Sequence, residues 1–563
     1  MLSSFVAVCS LLAVTAQGYT LNSSALPVVD LGYALYRASA FNSTGNYFNF
    51  TNIRYAAPPL GDLRFAAPAP PENNRSAGVQ DGQYGPFCPQ AASPAWEDTA
   101  RAFFNSLAKG QKSFTPPPLN LTIPTPDPGE SEDCLFLDVL TPKDIFQSAG
   151  KGPGAPVLVW IYGGAYIGGT KTLFGNPAGL LARSGSESIS AFPEVIYVAL
   201  NYRLGAFGWL AGPTLQSEGS ANAGLLDQRF ALEWVQKNIH LFGGDPNRVT
   251  IMGESAGGGS IVHQVTAFGG VLGDGKVPFQ QAIMQSPGFL PVPSLFQQEE
   301  SFDAFLKLLG VNSVEQARKL PTKDLALANS MMVRNATYGT YVWGPVVDGS
   351  FVPALPGKLL LQGAFDHSVK VMVGHNFNEG IFFTDPTVTD ETKLSNYFKL
   401  QFPSAQPSVL QFIQNTLYPP IFDGSFGYTN PTERLDVAIA EFAFTCNANY
   451  FDRALNNKTF AYMFSVPPAV HGLDVPYTFY NDDGRPTDIV ANSTLAFALQ
   501  KYITNFVKTG NPDGPGVPHF PQYGSGSTVV NLNVTATNAT DISETRDAVS
   551  NERCEWWQKA LYF

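Results

Sequence analysis

The sequence lacks the residue patterns with which proteins usually bind catalytic or structural metals. It contains no H-E-x-x-H motif and no paired C-x-x-C motifs, and it has only six histidines and five cysteines in 563 residues. Zinc sites need such ligands at short, fixed spacings. We therefore predict neither a metal site nor a cofactor.

Positive charge is also scarce. The chain has 34 Lys and Arg residues against 46 Asp and Glu residues, a net charge of -12 and a pI near 5.0. Proteins that bind nucleic acid or anionic membrane surfaces use Lys and Arg to neutralise phosphates. The composition therefore disfavours nucleic acid and acidic membranes as partners.

Long hydrophobic segments are missing beyond the N-terminus. Residues 1–18 contain an apolar run followed by small residues, a pattern typical of a secretory signal peptide. The run is shorter than the roughly 20 residues that a membrane span needs, so a membrane anchor is the weaker interpretation. The sequence predicts a secreted protein with no integral membrane segment.

The cysteines and glycosylation motifs agree with secretion. Cleavage of the signal peptide would leave Cys88, Cys134, Cys446 and Cys554, an even number that two disulfides could use in any of three pairings. N-x-Ser/Thr motifs recur along the chain, and their number predicts a glycosylated surface. The asparagines of these motifs are Asn22, Asn42, Asn49, Asn74, Asn120, Asn335, Asn457, Asn492, Asn533 and Asn538.

Apolar runs alternate with segments of helical periodicity. Continuous apolar runs, typical of strands buried on both faces, occur at residues 156–161, 195–200 and 369–373. Helical spacing occurs at residues 227–239, 495–507 and 551–561. The alternation predicts an α/β fold with a large, mostly parallel sheet covered by helices on both faces. No linker or repeat divides residues 19–563, so we expect a single domain.

The pentapeptide G-E-S-A-G at residues 253–257 is the most informative motif. It fits G-x-S-x-G, a sharp strand-to-helix turn that exposes a nucleophilic serine above the sheet of α/β-hydrolases. Residues 248–252 are typical of a short buried strand, and residues 256–267 can form the helix that follows. This context predicts Ser255 as a nucleophile.

A serine nucleophile needs a histidine base and a carboxylate that orients it. Glu379 follows the apolar run at residues 369–373, where a loop would leave the sheet. Asp474 is the rival acid. It lies three residues from His471, a candidate for the histidine base, and is therefore poorly placed to reach the far side of that imidazole ring. We therefore favour Glu379.

The order of residues along the chain reduces the number of candidate histidines, because in this fold the serine precedes the acid and the acid precedes the histidine. That order leaves His471 and His519. His471 follows a strand-like run at residues 459–464, whereas His519 lies in an irregular segment rich in Pro and Gly. The residues alone leave both open.

The tetrahedral intermediate of ester hydrolysis needs backbone N–H donors for its oxyanion. The Gly-rich segment I-Y-G-G-A-Y at residues 161–166 follows a buried strand and can approach a substrate closely. It predicts Gly164 and Ala165 as donors, together with Ala256 beside the serine.

Several separate blocks resemble the type-B carboxylesterase family, which includes cholinesterases, fungal lipases and sterol esterases. The blocks are YAAPPLGDLRF at residues 55–65, EDCLFLDV at 132–139, NYRLGAFG at 201–208 and FGGDPNRVTIMGESAGG at 242–258. The resemblance covers nearly the whole chain and is closest in character to secreted fungal carboxylesterases. It implies an α/β-hydrolase fold and hydrolysis of a small, apolar carboxylic ester through an acyl-enzyme.

The resemblance also implies roles for individual residues. It implies Ser255, Glu379 and His471 as the catalytic triad, which selects His471 over His519. It further implies disulfides Cys88–Cys134 and Cys446–Cys554 and an ion pair between Arg64 and Glu132.

The sequence departs from the family at two places. The third glycine of the oxyanion loop is replaced by Ala165, followed by Tyr166, which affects the room for bulky alcohol groups. Pro124 stands where cholinesterases carry a tryptophan, so a choline-ester specialist is disfavoured.

Three alternatives remain open at this point. Trp96, Ala100, Phe103, Phe104 and Leu107 recur at helical spacing between the first two cysteines, as in a packed helix or in the lid of a lipase or sterol esterase that contacts lipid. The chain could also be an esterase or acyltransferase that tailors a secondary metabolite. The least favoured alternative is a non-catalytic adhesion protein.

Overall fold

The computed structural model describes residues 26–562 except 93, 110–113, 119–121, 123–124, 175, 186–193, 271–275, 293, 337, 341 and 483–488. The predicted signal peptide at residues 1–18 and the asparagines Asn22 and Asn120 lie outside the described residues.

The strands alternate with helices along the chain. The strands are β1 (Val28–Asp30), β2 (Leu35–Arg37), β3 (Ala40–Asn42), β4 (Tyr47–Arg54), β5 (Val79–Gln80), β6 (Phe136–Pro142), β7 (Ala155–Ile161), β8 (Ile196–Leu200), β9 (Gly244–Glu254), β10 (Gln281–Gln285), β11 (Lys370–Asn376), β12 (Phe460–Phe464), β13 (Thr528–Val534) and β14 (Thr540–Arg546).

The helices vary from one turn to more than four turns. The α-helices are α1 (Pro94–Ala108), α2 (Lys143–Gln147), α3 (Ala178–Gly185), α4 (Gly205–Trp209), α5 (Pro213–Gln216), α6 (Ala223–Asn238), α7 (Ala256–Val265), α8 (Leu295–Leu309), α9 (Val314–Arg318), α10 (Thr322–Arg334), α11 (Pro356–Gln362), α12 (Glu391–Gln401), α13 (Pro407–Phe412), α14 (Pro431–Ala440), α15 (Cys446–Ala454), α16 (Val475–Thr478), α17 (Ser493–Thr509) and α18 (Glu552–Gln558). Short π-helices occupy Ile413–Leu417 and Glu441–Thr445.

The main sheet has eleven strands in the order β14-β13-β12-β11-β10-β9-β7-β8-β6-β4-β3. The strands from β13 to β8 in that order run parallel, and the pairs at both edges are antiparallel. β7 and β8 are buried along their whole length, as strands covered on both faces must be. The predicted α/β fold with a large, mostly parallel sheet is confirmed.

The predicted elements lie close to their observed positions, with differences at the ends. The first predicted helix begins four residues earlier than expected, at Ala223. The last one ends at Gln558, and Ala560 beyond it has φ 54°, a left-handed conformation that cannot continue an α-helix. Such ends depend on local turns more than on hydrophobic periodicity.

Two disulfides and the buried Arg64–Glu132 ion pair join distant segments. Cys88 is bonded to Cys134, and Cys446 to Cys554. The guanidinium of Arg64 makes a two-pronged contact with Glu132, at 2.6 Å from Nη2 to Oε1 and 2.8 Å from Nε to Oε2. These are the pairings that the family resemblance implied.

Two surface properties bear on glycosylation and on membrane insertion. The described asparagines of the glycosylation motifs are exposed or half-buried, so each one reaches solvent. In the part of the chain that the structure describes, no helix combines the length and the hydropathy that crossing a bilayer requires.

Candidate active site

The predicted site residues gather at the carboxyl ends of neighbouring parallel strands, where α/β sheets bind their ligands. The Gly-rich segment follows β7, Ser255 follows β9, Glu379 follows β11 and His471 follows β12. The sheet places these strands close together, in the order β12-β11-β10-β9-β7. Residues that are more than 200 positions apart in the sequence are thereby brought to one edge.

Ser255 occupies a strained turn between β9 and α7. Its backbone has φ 56° and ψ -123°, which is unfavourable for a residue with a side chain. A Cβ atom on Gly253 would lie 2.6 Å from the carbonyl oxygen of Ile161, and one on Gly257 would lie 2.0 Å from the same atom. Only glycine fits at these two positions, which explains the glycines of the motif.

His471 and Glu379 are in direct contact. The ring nitrogen Nδ1 of His471 lies 2.5 Å from Oε2 of Glu379, whose side chain is fully buried. The other ring nitrogen, Nε2, is buried and has no hydrogen-bond partner within the described residues. The arrangement directs Nδ1–H to the carboxylate and leaves Nε2 free to accept a proton.

The Glu379 carboxylate is held on its other side as well. Its Oε1 accepts hydrogen bonds from the Ser286 hydroxyl at 2.6 Å and from the Asn376 backbone N–H at 2.5 Å. Burial alone would raise the pKa of Glu379, but His471 and these hydrogen bonds lower it below its ordinary value. Burial likewise opposes the charge on His471, yet the Glu379 carboxylate raises the pKa of the imidazole.

Neither rival residue, Asp474 or His519, takes part in the contact between His471 and Glu379. Asp474 is buried, but its carboxylate accepts hydrogen bonds from Tyr462, Gln285 and Asn376 and makes none with His471. His519 is exposed and lies 2.8 Å from Asp513 on the surface.

The segment after β7 lies directly against the predicted nucleophile. A Cβ atom on Gly163 would be 2.9 Å from the Cβ of Ser255. Gly164 and Ala165 have φ values of 121° and 55°, so the backbone is twisted where the predicted donors lie. Ala256 is the first residue of α7, and its N–H therefore has no partner inside the helix. Two of the predicted donors thus follow Gly163, which lies against the serine, and the third follows the serine itself.

Comparisons with known proteins agree with this geometry. The family model described as "Carboxylesterase family" matches residues 36–557. The chain belongs to the carboxylesterase family. It is 44% identical to carboxylesterase patB of Aspergillus clavatus, over 95% of this chain and 96% of that protein. It is 32% identical to lipase 2 of Diutina rugosa, over 85% of this chain and 86% of that protein. The structure of Aspergillus niger EstA is similar with a TM-score of 0.75, at 27% identity, over 95% of this chain and 98% of that chain.

This carboxylesterase is a carboxylic ester hydrolase, and the least favoured alternative, a non-catalytic adhesion protein, is therefore wrong. Among the described residues, no group of three or more His, Cys, Asp or Glu side chains could hold a metal ion.

Sequence reasoning missed two residues that support Glu379. Ser286 directly follows β10 and has φ 43°, and Asn376 is the last residue of β11. The amide of Asn376 also donates to the Ser286 hydroxyl at 3.1 Å. The position of Ser286 at the end of a strand beside β9 could have marked it as a site residue. Using that signal would have required knowing the order of the strands in the sheet.

A third missed residue is Glu254, which precedes the serine in the motif. One of its oxygens, Oε1, lies 3.4 Å from Nε2 of His471 and has no hydrogen-bond partner within the described residues. Burial raises the pKa of Glu254 to about 8. At neutral pH the carboxyl group is therefore largely protonated and adds little negative charge beside the imidazole.

Aromatic rings enclose His471 in the carboxylesterase. The ring centroids of Phe444 and Phe383 lie 4.4 Å and 5.1 Å from that of the imidazole. Trp96 of α1 stacks on Phe383 at 6.1 Å with an interplanar angle of 14°. Helix α1 is thus connected to the site through two ring contacts, and two aromatic rings contact the imidazole.

Proposed function

We propose that the chain is a secreted carboxylesterase that cleaves apolar carboxylic esters through an acyl-enzyme on Ser255, within a single domain at residues 19–563. The observation that carries this proposal is the His471–Glu379 contact of 2.5 Å at the edge of the sheet where the strained Ser255 turn lies. A strained serine, a histidine with a free Nε2 and a buried carboxylate together match the requirements of nucleophilic acyl transfer.

The reaction follows from these positions. Nε2 of His471 accepts the hydroxyl proton while Oγ of Ser255 attacks the ester carbonyl carbon. Glu379 keeps the Nδ1 proton in place and stabilises the imidazolium that forms. The N–H groups of Gly164, Ala165 and Ala256 stabilise the oxyanion. His471 then returns the proton to the departing alcohol, and water releases the acid by the same steps.

The aromatic rings beside His471 support an apolar substrate. Phe383 and Phe444 contact the imidazole, and Trp96 extends this wall toward α1. Burying apolar groups of an ester against such rings is favourable by about 25 cal/mol per Å². Relatives are named lipase 2 and fumonisin B1 esterase, so related chains hydrolyse chemically different esters. The natural substrate could thus be a lipid or a secondary metabolite.

A covalent label tests the nucleophile. Incubation with an alkyl fluorophosphonate should add one phosphonyl group to the wild type, on the peptide that contains Ser255, and abolish hydrolysis of p-nitrophenyl butyrate. Ser255→Ala should prevent labelling and lower kcat by about 10⁶-fold. Ser350→Ala, at an exposed position outside the site, is the matched control and should behave like the wild type. Labelling of another serine, or a tenth of the activity in Ser255→Ala, would overturn the proposal.

The second candidate function is that of a lipase that contacts a lipid interface. The exposure of Leu107 supports it. It lies on α1 with 46% of its surface exposed, while Phe103 and Phe104 of the same helix are buried. A lipase whose α1 opens at an interface would show a sharp rise in rate when a long-chain ester exceeds its solubility. Smooth saturation through that limit would leave α1 as a packed wall of the site.

The choice between hydrolysis and acyl transfer needs a separate measurement. Adding an alcohol acceptor to a p-nitrophenyl ester assay distinguishes them, because a transferase forms the new ester while a hydrolase releases mainly the free acid. A chain-length series of nitrophenyl esters, run beside triglyceride and sterol esters, would define the acyl preference.

A further inference from the structure

The oxyanion segment of this chain has an unusual backbone. Gly164, Ala165 and Tyr166 have consecutive φ values of 121°, 55° and 63°. A left-handed conformation is unfavourable for a residue that carries a Cβ atom. Two such residues in succession persist only where other contacts determine the backbone, and the predicted donors belong to this stretch.

Tyr166 supplies contacts in three directions. The residue is 3% exposed, and its hydroxyl donates a hydrogen bond to the carbonyl oxygen of Gly288 at 2.9 Å. Its own carbonyl oxygen accepts a hydrogen bond from the N–H of Gly205 at 2.8 Å. Its ring packs edge-on against Trp209, with centroids 4.6 Å apart. The side chain and the backbone of Tyr166 are therefore both fixed.

The hydroxyl contact reaches the nucleophile through one residue. The N–H of Gly288 donates to the carbonyl oxygen of Ser255 at 2.9 Å, and the carbonyl oxygen of Gly288 accepts from Tyr166. Gly288 thus connects the serine turn to the oxyanion segment. A Cβ atom on Gly259 would lie 2.5 Å from the Tyr166 hydroxyl, so α7 leaves space for that group by carrying glycine there.

We propose that Tyr166 is a positioning residue whose hydroxyl, through Gly288, fixes the oxyanion donors Gly164 and Ala165 relative to Ser255. This inference rests on the proposed function, because it assumes that an oxyanion forms on an ester bound to Ser255. Aligned donors act mainly where negative charge develops, so the hydroxyl should affect the transition state more than substrate binding.

Removing the hydroxyl while keeping the ring tests the proposal. Tyr166→Phe should lower kcat for p-nitrophenyl butyrate by about 10- to 100-fold, since misplacing a catalytic group by about 1 Å can cost 10²-fold. KM should stay within about twofold. A trifluoromethyl ketone, which forms a tetrahedral adduct with serine, should lose affinity by the same factor as kcat, whereas the matched methyl ketone should bind nearly as well as before.

A matched control separates positioning from stability. The hydroxyl of buried Tyr502 also donates to a backbone carbonyl, that of Pro518 at 3.0 Å, so Tyr502→Phe removes the same kind of bond. Both variants should lose similar thermal stability, but only Tyr166→Phe should lose kcat and affinity for the trifluoromethyl ketone.

The outcomes are distinguishable from failure of the proposed function. If the fluorophosphonate does not label Ser255 in the wild type, the nucleophile assignment fails. If Ser255 is labelled and Tyr166→Phe keeps its kcat and its affinity for the trifluoromethyl ketone, the role of Tyr166 is wrong. A fall in kcat equal to that of Tyr502→Phe would also overturn it, because the loss would then be structural.

Discussion

Replacing Glu379 by Gln changes the proton on the imidazole without changing the shape of the side chain. In the wild type, Oε1 accepts from Ser286 and from the Asn376 N–H, and Oε2 accepts from Nδ1 of His471. A glutamine has only one acceptor oxygen. If that oxygen keeps the two donors, the amide NH₂ faces Nδ1.

An amide NH₂ facing Nδ1 forces the imidazole into the other tautomer. Nδ1 must then accept, and the proton moves to Nε2, which can no longer take the proton of Ser255. The reversed amide would instead set its NH₂ against two donors and leave both without an acceptor. We expect kcat to fall by about 10⁴-fold, on the order of 5 kcal/mol, as when the acid of a serine-protease triad becomes an amide.

Asp474→Asn is the matched comparison, because it changes the rival carboxylate in the same way. Asp474 accepts from Tyr462 at 2.6 Å, from Gln285 at 3.1 Å and from Asn376 at 3.2 Å. An asparagine can keep the first two bonds and lose the third. This loss should cost about 1–3 kcal/mol of the free energy of unfolding, and kcat should stay within about tenfold of the wild type.

The assay is hydrolysis of p-nitrophenyl butyrate by both purified variants, with thermal unfolding followed by circular dichroism to show that each is folded. The acid assignment is refuted if Asp474→Asn loses more activity than Glu379→Gln. It is also refuted if Glu379→Gln is folded and retains more than a few per cent of wild-type kcat.

Three further predictions concern stability and specificity. Burial opposes the charge on His375, but the carboxylate of Asp547, 3.6 Å away, outweighs burial and raises the pKa of His375 from 6.5 to about 9. The protonated imidazole therefore stabilises the fold fully below pH 6.5, and this stabilisation is lost as the pH rises through 9. Urea titrations give the fall in the free energy of unfolding between pH 6.5 and pH 9. In Asp547→Asn this fall should be smaller than in the wild type by on the order of 3 kcal/mol. Replacing Cys446 and Cys554 together by serine should cost about 4 kcal/mol, since the bridge closes a long loop, and non-reducing peptide maps should show no free thiol in the wild type. Trp96→Ser should raise KM for p-nitrophenyl decanoate by about tenfold and leave that for the acetate nearly unchanged, and equal effects on both esters would exclude an acyl-binding role.

Much of the fold could be predicted from the sequence because its strongest signals are local. The strands β7 and β8 are continuous apolar runs, and such runs appear only where a strand is covered on both faces. The serine motif is also recognisable from five consecutive residues, although the atom that excludes a Cβ at Gly253 and Gly257 is the carbonyl oxygen of Ile161 on the neighbouring strand β7. What the pattern could not provide is the order of strands, because hydrogen-bonded pairing joins segments far apart in the chain.

The site shows the same division. Ser255 could be found from five residues, whereas the choice between His471 and His519 required the family resemblance, because both lie in loops and only the sheet order separates them. Ser286 was missed for a related reason. Its contact with Glu379 exists only because β10 lies beside β11, and a serine after a strand has no distinguishing chemistry by itself.

Glu254 shows why the charges of the site could not be predicted at all from residue types. A glutamate at the end of a strand would be expected to be ionised, and a second negative charge beside Nε2 of His471 would compete with Glu379 for the imidazolium. Burial instead raises its pKa to about 8, so at neutral pH the group is mostly neutral while Glu379, with three donors around it, stays ionised. Two carboxyl groups on either side of one ring thus have opposite charge states, because burial dominates at Glu254 and the contacts with His471, Ser286 and Asn376 dominate at Glu379. The imidazole is therefore polarised in one direction only, from Glu379 at Nδ1 toward Nε2, which is the direction that the proposed proton transfer from Ser255 requires.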